Sequence, residues 1–149
     1  MMYVETGYMD VDDDVAFRTH AKVCNCFGHS YKQFYPGMAR HPVETGLWIW
    51  FPKLYDNPEW QNSISEDEEI FYERSKNNNA EHFDGFLKAY RAEKDIFKRL
   101  VFAHERDSSG KLMYRFKGLY VIDAEESVRT GTVTYRRKAK RVKTYAPSK

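Results

Sequence analysis

The sequence predicts an α+β domain with an N-terminal helix, a helical middle segment and an antiparallel, barrel-like β-sheet. Two segments with helical periodicity come first, alternating strands joined by short loops follow, and aromatic residues make up 16 % of the 149 residues. Helices followed by consecutive hairpin strands are typical of α+β domains. The length and the 42 % apolar content suit one domain over residues 1–149 with its own core.

The first predicted element is a helix over residues 13–27. Acidic residues at positions 12–14 suit the N-terminus of a helix, where backbone N–H groups lack partners. Val15, Thr19 and Val23 then recur on one helical face, and Gly28 can end the helix. The segment after it, residues 30–42, is predicted to be irregular.

The middle of the chain predicts a buried strand and then helical structure. The run over residues 46–51 is the most apolar in the chain, and its aromatic and β-branched residues favour a strand. Ser63 or Ser65 can cap a first helical turn formed by the acidic residues 66–69. Apolar residues at spacings of three and four predict a helix from about 80 to 97.

From Leu100 onward the hydrophobic period is two. It predicts a strand at 100–103, a hairpin loop at 107–110 and a return strand interrupted by Gly118, which indicates a bulge. In that return strand Arg115 and Lys117 fall on the face opposite the apolar positions, toward solvent or a ligand. A further strand covers residues 132–137.

The C-terminal segment 128–149 is strongly basic, with eight Lys or Arg residues and no carboxylate, whereas the rest of the chain has sixteen basic and twenty-two acidic residues. Such a block most often binds nucleic acid or another polyanion. Cations on a sheet face would follow phosphates, while interleaved tyrosines could stack an unpaired base. The alternative is a solvated sheet edge, where Lys prevents strand pairing. The predicted backbone contacts are Arg115, Lys117, Arg136, Arg137, Lys138, Lys140 and Arg141.

Motifs for catalysis or metal binding find little support, so no catalytic residue, metal or cofactor is predicted. Phosphate-binding glycine loops are missing, and no acidic residue has a Lys two positions later, as a common class of metal-dependent nucleases requires. The residues at 20, 24, 26 and 29 are of zinc-ligating types, but their spacing is poor, and buried reduced cysteines explain Cys24 and Cys26 better. Without a visible signal peptide or membrane span, a reduced cytoplasmic protein is expected.

Three stretches suggest a family. They are residues 48–55, residues 100–107 with 113–120, and residues 133–137. The second and third resemble PUA-like barrels, especially the SRA-type modified-base readers that are attached to restriction nucleases, and the resemblance covers about residues 46–145. Tyr55-Asp56-Asn57 is similar to the Tyr-Asp-Gly signature of that family but has Asn in place of its glycine.

The resemblance implies a module that takes a flipped base, such as a methylated cytosine, into a cavity of the barrel. Trp48, Trp50, Tyr55 and Trp60 are then the expected pocket rings, and DNA is the expected partner rather than RNA. The resemblance supplies no nuclease in these 149 residues, so any cleavage would come from a nuclease partner or be absent.

The first functional hypothesis is therefore a non-catalytic nucleic-acid-binding module in a restriction or defence context. A rival is a small phage or defence-system inhibitor or adaptor that sets its acidic residues, at 12–14 and 66–69, against the DNA-binding cleft of a nuclease. An enzyme using the carboxylates is a third hypothesis, for which no acid–base pair is identifiable.

Overall fold

The computed structural model describes residues 2–147. Within that range the α-helices are α1 (Met2–Thr6), α2 (His20–Cys24), α3 (Asn79–Ala92) and α4 (Ala124–Thr130). The strands are β1 (Tyr8–Asp10), β2 (Ala16–Phe17), β3 (Met38–Arg40), β4 (Leu47–Trp50), β5 (Ser63–Ile64), β6 (Ile70–Glu73), β7 (Lys98–Arg106), β8 (Leu112–Ile122), β9 (Val133–Ala139) and β10 (Arg141–Lys143).

One mixed sheet organises the chain, in the order β3-β4-β7-β8-β9-β6-β5, with β2 paired to β8. The β4–β7 pair is parallel and the other pairs along this path are antiparallel. Strands β1 and β10 form a separate two-stranded sheet. The α+β class is thus confirmed. Among the described strands, the edge strands β3 and β5 do not pair with each other, so the sheet is open and not a closed barrel.

The long β7–β8 hairpin forms the centre of the sheet and contains the predicted bulge. Val101 pairs with Gly118 while Phe102 pairs with Phe116, so Lys117 is the extra residue. Gly118 has a φ of +114°, and an added Cβ would lie 2.5 Å from the carbonyl oxygen of Ala139. Only glycine fits this close approach of two backbones.

The predicted helix over residues 13–27 is wrong for most of its length. Residues Val11–Asp13 form a 3₁₀ turn capped by the Asp10 side chain, and Asp14 ends it at a φ of +52°. Val15 accepts a hydrogen bond from the backbone N–H of Phe116, which draws the following strand onto the sheet. Helix formation is therefore confined to α2, where the Thr19 side chain accepts the N–H of Lys22.

The acidic residues 66–69 form the turn of the β5–β6 hairpin and not the predicted helical turn. Ser65 Oγ accepts the N–H of Ile70 and donates to Asp67, and Glu68 has a φ of +61°. Helix α3 confirms the predicted second helix up to Ala92, after which Lys94–Ile96 form a 3₁₀ turn. Helix α4 had no counterpart in the prediction.

Two hydrophobic clusters lie on the two faces of the sheet, since successive β7 residues alternate between them. Leu100 and Phe102 belong to one cluster, and Val101 and Ala103 to the other. Cys24 and Cys26 are buried cysteines, and burial raises the pKa of each thiol to about 12. Among residues 2–147 no group of His, Cys, Asp and Glu side chains is arranged to hold a metal ion, nor is any helix long and apolar enough to cross a membrane.

Candidate functional site

The basic C-terminal segment is a folded part of the sheet, but ion pairs neutralise much of its charge. Lys149 lies outside the described residues. The pairs are Arg129 with Glu126, Arg136 with Asp123 (2.5 Å), Arg137 with Glu69 (2.6 Å), Lys140 with Asp12 (2.5 Å) and Arg141 with Asp10 (3.0 Å). Asp12 and Glu69 in these pairs also belong to the acidic residues expected to face a nuclease in the rival hypothesis. That acidic surface therefore has fewer unpaired carboxylates than the sequence indicates.

The two cations predicted on the hairpin face are also engaged. Lys117 is only 7 % exposed, and its Nζ lies 2.6 Å from both Glu68 and Glu105 carboxylates. Arg115 Nη2 lies 3.2 Å from Asp107. The strand pattern predicts that Lys117 faces solvent or a ligand, and solvent is wrong, because the bulge at Gly118 places the side chain under the acidic turn.

Lys138 differs from the other predicted cations. It is exposed and makes no ion pair with the described residues. The β8–β9 register skips it, since Leu119 pairs with Ala139 and Tyr120 with Arg137.

A cleft of about 750 Å³ lies beside β4 and the segment that follows it, and two of the four predicted pocket rings line it. Trp50 is a buried lining residue and Trp60 a half-buried one. Tyr55 does not line the cleft, but its hydroxyl lies 3.3 Å from Nδ1 of His104, which does. Trp48 lies elsewhere, under the guanidinium of Arg40 at 5.1 Å.

Stacked rings form one wall of this cleft. The His20 ring stacks on Phe51 at 3.9 Å and 3°, and His104 stacks on Tyr114 at 4.1 Å and 11°. The edge of His20 also meets Tyr114, which joins both stacks. The backbone fixes this wall, because His104 exchanges hydrogen bonds with Pro52 and Leu54.

Both histidines in this wall have lowered pKa values, which favours the uncharged ring. Burial lowers the pKa of His20, although the hydrogen bond from its Nδ1 to the Pro36 carbonyl opposes the shift. Burial is also the main cause that lowers the pKa of His104, followed by His20 and Lys53. The wall can therefore pack against a flat uncharged ligand.

The buried end of the cleft holds a carboxylate and a guanidinium, Glu73 and Arg99, each 9 % exposed. Glu73 Oε2 lies 3.9 Å from Arg99 Nη1. The guanidinium packs on the rings of Trp50 at 4.8 Å and Tyr135 at 5.1 Å. Arg99 Nε is buried and finds no hydrogen-bond partner among residues 2–147. Buried polar groups are normally satisfied, so this spare capacity indicates a ligand or water.

The mouth of the cleft carries two exposed cations, Arg18 and Lys53, which form no ion pair with the described residues. Sequence reasoning missed them, together with Glu73 and Arg99, because none lies in a charge run. Glu73 had a signal: with Phe71 it occupies the inward positions of β6, where a charged residue is unusual.

Comparison with known proteins identifies the family of this chain. The model of the SET and RING associated (SRA) domain matches residues 2–144. A solved structure titled "The 5-Hydroxymethylcytosine-Specific Restriction Enzyme AbaSI" is similar, with a TM-score of 0.83 and 35 % sequence identity, over 99 % of this chain and 45 % of that chain. The chain thus spans less than half the length of that protein. No match was found among curated proteins.

Proposed function

The chain belongs to the SRA family, and from that premise we propose that it binds DNA and holds one flipped, 5-substituted cytosine in the cleft. The observation that supports this most is the combination of flat aromatic walls with a buried polar end that has unused hydrogen-bonding capacity. Proteins that read a flipped base need both, since rings replace the lost stacking and polar groups read the base edge.

Glu73 and Arg99 suit cytosine better than thymine. Cytosine presents an amino donor beside the acceptors N3 and O2, whereas thymine presents an acceptor and an N–H donor in the first two places. A carboxylate can accept from the amino group, and a guanidinium can donate to the acceptors. In this proposal Trp60 stacks on the base and Trp50 supports Arg99 from below.

The chemical class of the proposed ligand follows from the similar structure, which is described as a 5-hydroxymethylcytosine-specific restriction enzyme. We propose a modified cytosine in duplex DNA as the ligand here, with 5-hydroxymethylcytosine as the first to test. Residues 1–149 would act as one PUA-like, barrel-like recognition domain in the cytoplasm, and any cleavage would be supplied by a nuclease region or partner.

The phosphate contacts are assigned to the rim of the cleft. Arg18 and Lys53 are exposed there, and of the predicted cations Lys138 is the exposed one without an ion pair among the described residues. Arg136, Arg137, Lys140 and Arg141 would reach phosphates only by exchanging a carboxylate partner, which reduces their gain. The rim therefore takes the place of the basic strand as the first candidate for backbone contacts.

Fluorescence anisotropy with three duplexes tests the proposal. The duplexes differ at one position, which is cytosine, 5-methylcytosine or 5-hydroxymethylcytosine. A modified duplex should bind at least about tenfold more tightly than the unmodified one, equivalent to about 1.4 kcal/mol. Equal affinity for all three, or no binding at low salt, would refute the proposal.

Two variants and one control locate the site. Glu73→Gln should abolish the preference, while Glu125→Gln, on the exposed face of α4, should retain it. Lys53→Ala should weaken all duplexes alike and reduce the slope of log affinity against log salt by about 1. A preference that survives Glu73→Gln would place the reading site elsewhere.

A further inference from the structure

We infer that His82 of α3 is a positioning residue that holds both the Glu73 carboxylate and the Trp60 ring in the geometry that reads the base. The inference rests on the proposed function and extends it to a residue that does not line the cleft. His82 borders a second cavity of about 320 Å³, which Glu73 and Arg99 also line. It therefore acts on the ligand only through its neighbours.

His82 contacts two groups of different character. Its ring meets Trp60 edge-on, with centroids 5.1 Å apart and planes at 79°. Its Nε2 lies 3.9 Å from Glu73 Oε1. One imidazole thus contacts the proposed stacking ring and the proposed edge reader.

The carboxylate of Glu73 is flanked on both sides. Oε1 faces His82 and Oε2 faces Arg99, each at 3.9 Å. Both contacts are longer than hydrogen bonds, but an imidazole nitrogen on one side and a guanidinium on the other favour one orientation of the carboxylate plane. Removing the nitrogen on the Oε1 side leaves the carboxylate freer to rotate, so the edge reader loses its alignment with the base.

The His82 nitrogen is not explained by packing alone. Nε2 is buried and finds no hydrogen-bond partner in the part of the chain that the structure describes. Leaving a buried polar atom unpaired costs free energy, so a Phe would fill this place at lower cost if only the ring mattered. The nitrogen therefore indicates a role toward Glu73.

The backbone around His82 ties it to Trp60. Trp60 pairs with Ser75 in an isolated β-bridge. Ser75 in turn donates its N–H to Asn79 Oδ1, in the first turn of α3, and Asn79 Nδ2 donates to the Gly131 carbonyl. The helix, the stacking ring and β6 therefore share one rigid frame, which His82 completes.

Three variants separate the ring from the nitrogen. His82→Phe keeps the edge contact and removes the N–H, His82→Gln keeps an N–H donor and removes the ring, and His82→Ala removes both. The readout is the ratio of the affinity for the modified duplex to that for the unmodified duplex. We expect His82→Phe to lower this ratio about tenfold while affinity for the unmodified duplex is unchanged, and His82→Gln to be more selective than His82→Ala.

A double-mutant cycle with Glu73→Gln tests whether His82 acts through the carboxylate. In the Glu73→Gln background, where no preference remains to be lost, His82→Phe should leave the affinity for each duplex unchanged. A further loss of affinity in the double variant would overturn the inference, as would a wild-type ratio in His82→Phe. If His82→Phe does not fold, equal ratios for the Gln and Ala variants would overturn it.

Failure of the proposed function has a different signature. A wild-type protein that binds all duplexes equally refutes the base-reading function itself, whereas a selective wild type with a selective His82→Phe refutes only the inference. His29→Phe is the matched control, because His29 stacks on Tyr31 and bonds the Arg40 carbonyl outside the cleft. It should leave the ratio unchanged.

Discussion

Replacing Gly118 with Ala should destabilise the protein far more than the same change at Gly110. Both glycines have positive φ, +114° and +85°, but an added Cβ meets nothing within 4 Å at Gly110 and would lie 2.5 Å from the Ala139 carbonyl oxygen at Gly118. Positive φ costs an Ala about 1–2 kcal/mol. Gly110→Ala measures that cost alone.

The second contribution at Gly118 is steric. The Ala139 oxygen belongs to a paired strand, so the clash cannot be relieved by a side-chain rotation and the β8–β9 ladder must shift. Overpacking of this kind adds about 1–3 kcal/mol. The expected total is about 4 kcal/mol for Gly118→Ala, against about 1–2 kcal/mol for Gly110→Ala.

Thermal and urea unfolding measure the difference. A chain of this size loses about 2–4 °C in Tm per kcal/mol, so we expect a fall of about 12 °C for Gly118→Ala and about 4 °C for Gly110→Ala. Losses of the same size in both variants would refute the steric argument. The bulge also matters for the cleft, because it lies opposite the part of β7 between Arg99 and His104, and both of these residues line the cleft.

Four other changes have defined outcomes. Lys117→Met should lower the free energy of unfolding by about 2 kcal/mol, since its two carboxylate partners lose their shared cation but are exposed enough to regain some water; an unchanged urea midpoint would contradict the buried ion triad. Asp107 has its pKa lowered to about 2, chiefly by the hydrogen bond from the Ser109 hydroxyl, so its contribution is present above pH 3.8 and is lost as pH falls toward 2. Asp107→Ala should therefore be less stable than wild type at pH 7 and equally stable near pH 2, and a difference that persists at pH 2 would exclude this explanation. Trp50 is in the core, so Trp50→Ala should lower the free energy of unfolding by about 3–5 kcal/mol. Trp60→Ala should keep the wild-type free energy of unfolding and lose the preference for modified DNA.

The charge of the C-terminal segment depends on contacts that a local stretch of sequence does not contain. The block of cations in residues 128–149 is visible in the sequence. Its partners are distant, since Arg137 pairs with Glu69, 68 positions away, and Arg141 with Asp10, 131 positions away. Whether a charge is free therefore depends on contacts between strands far apart in the chain, which no local window contains.

The cleft could be predicted only in part, for the same reason. Aromatic content and the SRA-type resemblance led to Trp50 and Trp60, and the resemblance is confirmed by the family match over residues 2–144. Glu73, Arg99 and His82 come from β6, β7 and α3, and a single charged residue in each carries no local signal. That these three residues lie close together follows only from the order of the strands in the sheet, in which β9 lies between β6 and β8.

By itself the sequence determined the features that depend on neighbours along the chain. The β7–β8 hairpin, its bulge at Gly118 and helix α3 follow from a period of two, turn residues and a period near four. The tertiary structure alone decided that residues 13–27 are mostly not a helix, that the basic strand is largely neutralised, and that a cleft with a buried Glu73–Arg99 end exists. The physical reason is that periodicity and turn chemistry are local, whereas ion pairing, burial and concavity arise between segments that folding brings together.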